Sequence, residues 1–297
     1  MDLRSDHKLT VCVAIPTYNR EGVLVDTLSQ VLTQHPRADE VLVIDQTASH
    51  EPETERYLAS AHRKGWIRWI KHFPAKLNGA RNRALTETKC DILILIDDDV
   101  DLVPAFIAKH ARNFTDPDVV AVAGRTIQAR GNMPAARATP WVKALGYKPF
   151  ALDHTERIEG VANFIGANHS LRVTAVREMG GYDENYFAPL YDESDLALEL
   201  CKINKKIIFD PEAEVYHKQA ASGGVRETPR RKLPEYYMSF CALYFHIKHF
   251  FPGLYFWKQA LFIQLRRAAL RRAVVFRPWR IPWALLSYAY SFLLAAK

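Results

Sequence analysis

The sequence predicts an α/β protein, with a mostly parallel sheet flanked by helices over residues 1–225 and a helical, basic, aromatic-rich extension over 226–297. Three observations lead there. Short aliphatic and β-branched runs alternate with segments of helical period through the first half of the chain, the pattern of strand–helix–strand units. The aliphatic runs are near-continuous rather than alternating, as expected for strands buried on both faces. Composition then changes after Ser222-Gly223-Gly224, which reads as a flexible joint.

Taken in order, Thr10–Ile15 is an apolar run closed by Pro16 and makes the first strand. Gly22–Gln34 places Val23, Leu24, Leu28, Val31 and Leu32 on one helical face. Val41–Ile44 is a second strand ending at Asp45, Ile67–Ile70 a third, and Ala80–Thr88 a short helix. Ile92–Ile96 is the strongest strand signal and runs into Asp97-Asp98-Asp99. Val119–Ile127 and Val161–Ser170 are expected as strands, joined by a polar loop over Ala129–Pro149. Gly180-Gly181 should end a helix at positive φ. Glu193–Asn204 carries Leu196, Leu200 and Ile203 at helical spacing, and Lys206–Phe209 and Ala213–His217 read as two short strands. No internal repeat is evident.

The apolar fraction of 48% and charged fraction of 25% in 297 residues are ordinary for a globular protein and exclude wholesale disorder. The formal charge of +7 is unevenly spread. Residues 226–297 hold 13 Lys/Arg against 2 Asp/Glu, a net of +11, and the rest holds 27 against 31, a net of −4. The same 72 residues carry 17 of the 34 Phe, Trp and Tyr. Cys12, Cys90, Cys201 and Cys241 are far apart without C-x-x-C spacing, so reduced thiols in a cytosolic compartment are expected rather than a disulfide framework or zinc knuckle. Met1–Thr10 carries Asp2, Arg4, Asp6 and Lys8 and no apolar run, so no signal peptide is expected.

Open α/β sheets bind ligands beyond the carboxyl ends of their strands, where Asp45 and the Asp97 triplet fall. Consecutive aspartates repel one another unless a cation relieves them. Mg²⁺ and Mn²⁺ suit such oxygen ligands and often bind through one or two carboxylates plus substrate phosphates. In an extended segment Asp97 and Asp99 face one side and Asp98 the other. A solvated acidic loop capping the next helix, with Asp101 and Pro104, is the competing reading. The chain has no G-x-G-x-x-G and no G-x-x-x-x-G-K-[ST], so phosphate would be held by metal and basic side chains. Arg81 and Arg83 open a helix that would receive an anion or simply present a solvated face.

Several motifs occur together: Ile15-Pro16-Thr17-Tyr18-Asn19, Asp45, Gly79-Ala80-Arg81-Asn82, Asp97-Asp98-Asp99, Gly166-Ala167-Asn168, Gly180-Gly181-Tyr182-Asp183-Glu184, Asp192-Glu193-Ser194-Asp195-Leu196 and Val215-Tyr216-His217. Their order over residues 10 to about 220 resembles the family 2 glycosyltransferases. The resemblance implies a GT-A fold, Rossmann-like, and inverting transfer of a sugar from a nucleotide-sugar donor. It implies that Pro16, Thr17, Tyr18, Asn19 and Asp45 cradle the nucleoside. Asp97 and Asp98 would serve the donor, Arg81 a phosphate, Asn168 and Asp195 the substrates, and Asp99 with His217 a divalent cation, Mn²⁺ or Mg²⁺. Glu193 matches the position of the catalytic base, with Asp192 as contender because the usual Glu-Asp order is reversed. The Asp45-Gln46-Thr47 sequence departs from the more usual Asp-Asn/Asp-Gly-Ser. Asp192 and Asp195 also suit a helix N-cap and N3. His217 also suits a strand-end histidine bonded to a backbone carbonyl.

A UDP-sugar is the favoured donor and a glycan or lipid-linked acceptor the expected partner. Basic residues interleaved with Trp and Tyr suit an anionic membrane surface. Ile281–Ala296, 16 uncharged residues containing Pro282, is short for a span and better suited to an in-plane or re-entrant segment. Tyr236–Leu265 is interrupted by Lys248, Pro252 and Lys258, and Arg266-Arg267 and Arg271-Arg272 do not share one clean face. Peripheral attachment to the inner face of the cell membrane is the expectation, against a packed helical subdomain or a dimer contact. Nucleic acid is not expected as a partner, since no stacking platform is recognisable. Two rival functions are a non-catalytic nucleotide-sugar-binding partner and a sugar nucleotidyltransferase. The latter would need a Gly-rich basic loop that Pro16-Thr17-Tyr18-Asn19-Arg20 does not supply.

Overall fold

The computed structural model describes residues 8–131, 142, 145–186, 190–224, 235–258, 286, 289, 290 and 293, with only the backbone at 235–239 and 256. Most of the expected Ala129–Pro149 loop and of Ile281–Ala296, and both arginine pairs at 266–267 and 271–272, lie outside these residues.

The strands are β1 (Val11–Thr17), β2 (Glu40–Asp45), β3 (Arg68–Lys71), β4 (Ile92–Ile96), β5 (Val100–Leu102), β6 (Val119–Gln128), β7 (Ile158–Glu159), β8 (Asn168–Arg172) and β9 (Lys206–His217). The helices are α1 (Gly22–Leu32), α2 (Pro52–Arg63), α3 (Leu77–Glu87), α4 (Phe106–Ala111), α5 (Val173–Glu178), α6 (Asp192–Lys202), α7 (Glu235–Phe250) and α8 (Leu254–Trp257). One sheet runs β3-β2-β1-β4-β8-β6-β9-β5, with β7 paired to β9.

The sheet is mixed, which corrects the expectation of a mostly parallel one. Strands β3, β2, β1 and β4 are parallel. Beyond them β8 lies antiparallel to both β4 and β6, and β5 and β7 are antiparallel to β9. A buried aliphatic run reads the same in either direction, so strand polarity is set by the connections and not by the run itself. Alternate residues of the central strands serve opposite faces. Cys12, Ala14, Leu93 and Leu95 join one apolar cluster, whereas Val11, Val13, Ile15, Ile92, Ile94 and Ile96 join the other.

Two element expectations change, and one helix was not anticipated. Val161–Ser170 forms a strand only from Asn168, because residues 165–168 make a tight turn closed by Asn168 N–H on the Ile165 carbonyl at 3.1 Å. Lys206–Phe209 and Ala213–His217 are one strand, β9, whose register against β6 jumps where Gly124 faces Asp210 and Arg125 faces Glu214. Pro211 has no N–H to give the ladder and falls at this bulge. Helix α2 buries only Thr54, Leu58 and Ala61, so its apolar stripe is narrow and the segment reads as polar.

The chain divides into two compact units, one of Met1–Asp183 with Glu193–Val225 and one of Glu184–Asp192 with Arg226–Lys297. In the second unit Tyr191 stacks on Phe245 at 4.5 Å and Tyr186 packs edge-on to Tyr244 at 5.3 Å. Phe251, Leu254 and Trp257 are exposed at the junction of α7 and α8. No helix among the described residues is long and apolar enough to cross a membrane.

Candidate active site

The carboxyl ends of β1, β2 and β4 carry Thr17, Asp45 and the Asp97 triplet. Strand β4 ends at Ile96 and the short β5 follows, antiparallel to the end of β9 with Val100 opposite His217. That pairing brings a residue more than a hundred positions away onto the triplet. His217 Nε2 lies 3.1 Å from Asp99 Oδ1 and 3.5 Å from Asp97 Oδ2. Ligand atoms of the three residues all lie within 4.8 Å of one another. Burial pushes the Asp99 carboxyl up, but His217, the Ala220 N–H and Arg20 together hold it below the ordinary value. Two hard carboxylate oxygens and one imidazole nitrogen are a donor set that fits Mn²⁺ or Mg²⁺.

Asp98 turns inward. Its Oδ2 accepts the Thr17 hydroxyl at 2.7 Å and its Oδ1 lies 3.1 Å from Arg20 Nε. Burial, with repulsion from Asp99 and Asp97, pushes it up to about 7 despite Arg20 and Thr17. Asp98, expected to serve the donor, thus links the triplet to the β1 turn. Arg20, not anticipated, is the hub: it also reaches Asp99 Oδ2 at 3.2 Å and donates to the Ser222 carbonyl. Its signal in the sequence is its place beside Asn19 in the first turn. Asp99 Oδ2 further accepts the Ala220 N–H at 2.8 Å, and Gly224 N–H bonds to Tyr18 O at 2.6 Å. A Cβ on Gly223 would collide with the Asn19 carbonyl. Ser222–Gly224 is thus a close-packed strap over the first turn, not a flexible joint.

Pro16, Tyr18 and Asn19 keep surface in that turn, Asn19 at φ 52°. Asn19 N–H donates to Thr47 Oγ1 at 2.8 Å, and Gln46 N–H to the Thr17 carbonyl at 2.9 Å, tying the β1 and β2 loops together. Asp45, expected against the nucleoside, has no exposed surface. Its Oδ2 receives His50 at 2.8 Å, Trp69 Nε1 at 2.8 Å and Lys71 at 2.9 Å, and its Oδ1 the Thr47 N–H at 2.8 Å. Burial raises this carboxyl, and these partners more than offset it. Asp45 organises the loop beneath the turn.

The second acidic motif opens α6. Glu193, in the unit that carries the Asp97 cluster, lies with Oε1 2.9 Å from Arg81 Nη2. Asp192 falls in the other unit, and Asp195 is buried on the first turn of α6. Arg81, expected on a phosphate, is only 2% exposed. Its Nη1 bonds to Asn78 Oδ1 at 3.1 Å, and its guanidinium lies over the Tyr182 ring. Asn82 brackets that tyrosine, accepting the Tyr182 N–H at 2.8 Å and donating to its carbonyl at 2.9 Å. Gly180 and Gly181 turn the chain there at φ 85° and 82°. Tyr182 Oη lies 2.5 Å from His169 Nε2, and His169 Nδ1 faces the Ile165 carbonyl at 2.9 Å. Burial drives His169 down to about 3, with Arg81 adding to the effect.

Residues 166–168 touch both acidic groups. Ala167 O accepts the Asp97 N–H at 3.4 Å, and a Cβ on Gly166 would strike both Arg81 and Glu193. Asn168, expected at the substrate, brackets the strands around it. It has no exposed surface, its Oδ1 meets His110 Nε2 at 2.9 Å, and its Nδ2 donates to the Arg125 and Ala213 carbonyls at 2.8 Å each.

Solved structures share this fold. A mannosyltransferase, PcManGT from Pyrobaculum calidifontis, in complex with GDP-Man and Mn²⁺, matches with a TM-score of 0.58 at 20% identity over 98% of this chain and 76% of that one. S. aureus TarS 1–349 matches with a TM-score of 0.59 at 13% identity over 97% and 81%. GalNAc-T7 with UDP, GalNAc and Mn²⁺ gives 0.58 at 16% identity over 72% and 44%. At these identities the likeness is one of fold, a GT-A-like α/β arrangement. The uncharacterized protein y4gI of Sinorhizobium fredii (strain NBRC 101917 / NGR234) is 22% identical over 237 residues, 75% of this chain and 26% of that protein, so the chain spans about a quarter of that relative's length. Residues 12–180 match Glycosyl transferase family 2, and this chain belongs to that family.

Proposed function

We propose that the chain transfers a sugar, with inversion, from a nucleoside diphosphate donor to an acceptor hydroxyl. One observation carries the reading: the Asp97–Asp99–His217 cluster and Glu193 both abut residues 166–168. One acidic group is thereby suited to a cation and the other to a proton. Asp97, Asp99 and His217 would hold Mn²⁺ or Mg²⁺, which when bound supplies positive charge to the diphosphate leaving group. Glu193 accepts the acceptor's proton as the new C–O bond forms. Pro16, Tyr18 and Asn19, which keep surface in the first turn, line the nucleoside subsite with the buried Thr17 behind them. A UDP-sugar is the first donor to try. PcManGT with GDP-Man and GalNAc-T7 with UDP, both with Mn²⁺, support the class of donor and cation.

In this reading residues 1–225 are catalytic, and 226–297 hold the enzyme on the cytoplasmic face of an anionic membrane beside a lipid-linked or growing glycan. The net charge of +11 over 226–297 and the exposed Phe251, Leu254 and Trp257 support the membrane surface as partner.

The test is a thermal-shift screen of nucleotide sugars with and without Mn²⁺, followed by transfer assays. Asp99→Ala is expected to abolish the metal-dependent shift. Glu193→Gln is expected to keep that shift while transfer falls by about 10³-fold. Full transfer by the Gln variant would move the base elsewhere.

A further inference from the structure

Glu193 sits 19% exposed against a guanidinium that is almost wholly buried. The surroundings of that guanidinium are built from four separate stretches of chain. Asn78 holds Nη1 at 3.1 Å from within α3, and the Tyr182 ring lies 5.2 Å from the guanidinium carbon. Asn82 fixes Tyr182 through two backbone hydrogen bonds, and Gly166 leaves room for the pair by lacking a Cβ. An arginine so enclosed has few alternative rotamers, and its planar fork fixes a carboxylate more rigidly than an ammonium does.

We propose that Arg81 is a positioning residue for the reaction, holding the Glu193 carboxylate ionised and in one orientation from beneath, without touching the donor. The inference rests on Glu193 as the acceptor's base. Among the described residues, the charged and titratable groups recorded with Glu193 are Arg81 from α3 and His169 from β8, and Tyr182 after α5 packs on the Arg81 guanidinium. Burial holds His169 neutral near pH 7, with Nδ1–H donating to the Ile165 carbonyl and Nε2 accepting the Tyr182 hydroxyl. The Arg81 guanidinium, 2.9 Å from Oε1, favours the ionised form of the Glu193 carboxylate. Without it, the carboxylate binds a proton more readily.

The test is the pH dependence of kcat in the full chain. Arg81→Met is expected to move the acid limb up by about one pH unit or more. At pH 7 it should lower kcat by about 100-fold through lost alignment. Donor and Mn²⁺ affinity should stay within about twofold of wild type, as follows if the almost wholly buried guanidinium acts only through Glu193. Arg81→Lys is expected to keep the acid limb in place and to recover part of kcat. Gly166→Ala, which wedges a methyl between two unaltered partners, should lower kcat at unchanged donor affinity, and it carries the test with Arg81→Lys if the Met variant does not fold. An unmoved acid limb in Arg81→Met overturns the proposal. So does a tenfold loss of donor affinity with kcat intact, which would place Arg81 on the diphosphate. Failure of the wild type to turn over any nucleotide sugar sinks the transferase reading instead. The ion pair is then judged by a double-mutant cycle of Arg81→Met and Glu193→Gln in urea, where coupling below twofold in the folding constant refutes it.

Discussion

Asn168 and the two buried histidines near it set the cost of disturbing the ground under the site. Asn168→Ala removes an amide whose carbonyl oxygen and nitrogen are both engaged, leaving the Arg125 and Ala213 carbonyls and His110 short of a partner. A loss of about 3 kcal/mol in urea denaturation is expected, with metal-dependent donor binding retained in the folded fraction. Little change in stability would return Asn168 to the role of a sugar contact. Burial lowers His110 to about 4 and His169 to about 3. A histidine whose folded value is depressed favours the native state fully above its unfolded value of about 6.5. Its contribution falls as pH drops from there to the folded value, by about 1.4 kcal/mol per pH unit for each ring. Urea midpoints should therefore drop steeply between pH 6.5 and 4. A flat profile would mean that neither ring is held neutral. Of the site residues, the Asp97–Asp99 cluster was legible because clustered charge at a strand end is costly without a ligand. The turn of Asp98 away from Asp97 and Asp99 was legible from strand alternation, but the burial of Asp45 and Arg81 was not, because a motif names a residue and leaves open what else packs beside it.

Among the elements, β9 and the strap after it matter most. Its bulge lets Asn168 reach the Ala213 carbonyl across β6, where Gly124 leaves the space. Gly124→Ala would drive a Cβ into Asn168 and that carbonyl, and about 3 kcal/mol of destabilisation is expected from such overpacking, measured as a fall in the urea midpoint. Gly223→Ala meets both a positive φ of 75° and the Asn19 carbonyl. It should lift the strap from the first turn and raise severalfold the Mn²⁺ concentration needed for half-maximal donor binding, read by thermal shift. Unchanged metal dependence would show that the strap does not support Asp99. The strands were largely legible as aliphatic runs, with β4 recovered at Ile92–Ile96 as expected. Strand β5, three residues with only Val100 fully buried, carries no such run, yet it places His217.

For the whole molecule, the segment Glu184–Asp192 belongs with residues 226–297 although it lies inside the region expected as catalytic. Its Tyr186 and Tyr191 pack on Tyr244 and Phe245. A fragment ending at Val225 would strip both rings, so the membrane proposal is tested in the full chain by changing Phe251, Leu254 and Trp257 to serine. These side chains are exposed, at 57%, 86% and 41%, and folding should survive. Wild type is expected to co-sediment with phosphatidylglycerol vesicles more than with phosphatidylcholine vesicles, and the triple variant to lose most of that binding. Equal partitioning of the two proteins would refute the surface.

The sequence by itself determined the family, the α/β class and the two acidic groups, since these depend on residue types at local spacing: buried runs, strand-end carboxylates and helix-opening acids. The resemblance had set His217 with Asp99, but tertiary structure alone decided the polarity of β8, the β5–β9 pairing that brings those two side chains together, and the pairing of Arg81 with Glu193. Those contacts join residues roughly eighty to more than a hundred positions apart. No local pattern encodes them, because they arise only when crossing strands and the Gly166 gap bring distant chain segments within hydrogen-bond reach.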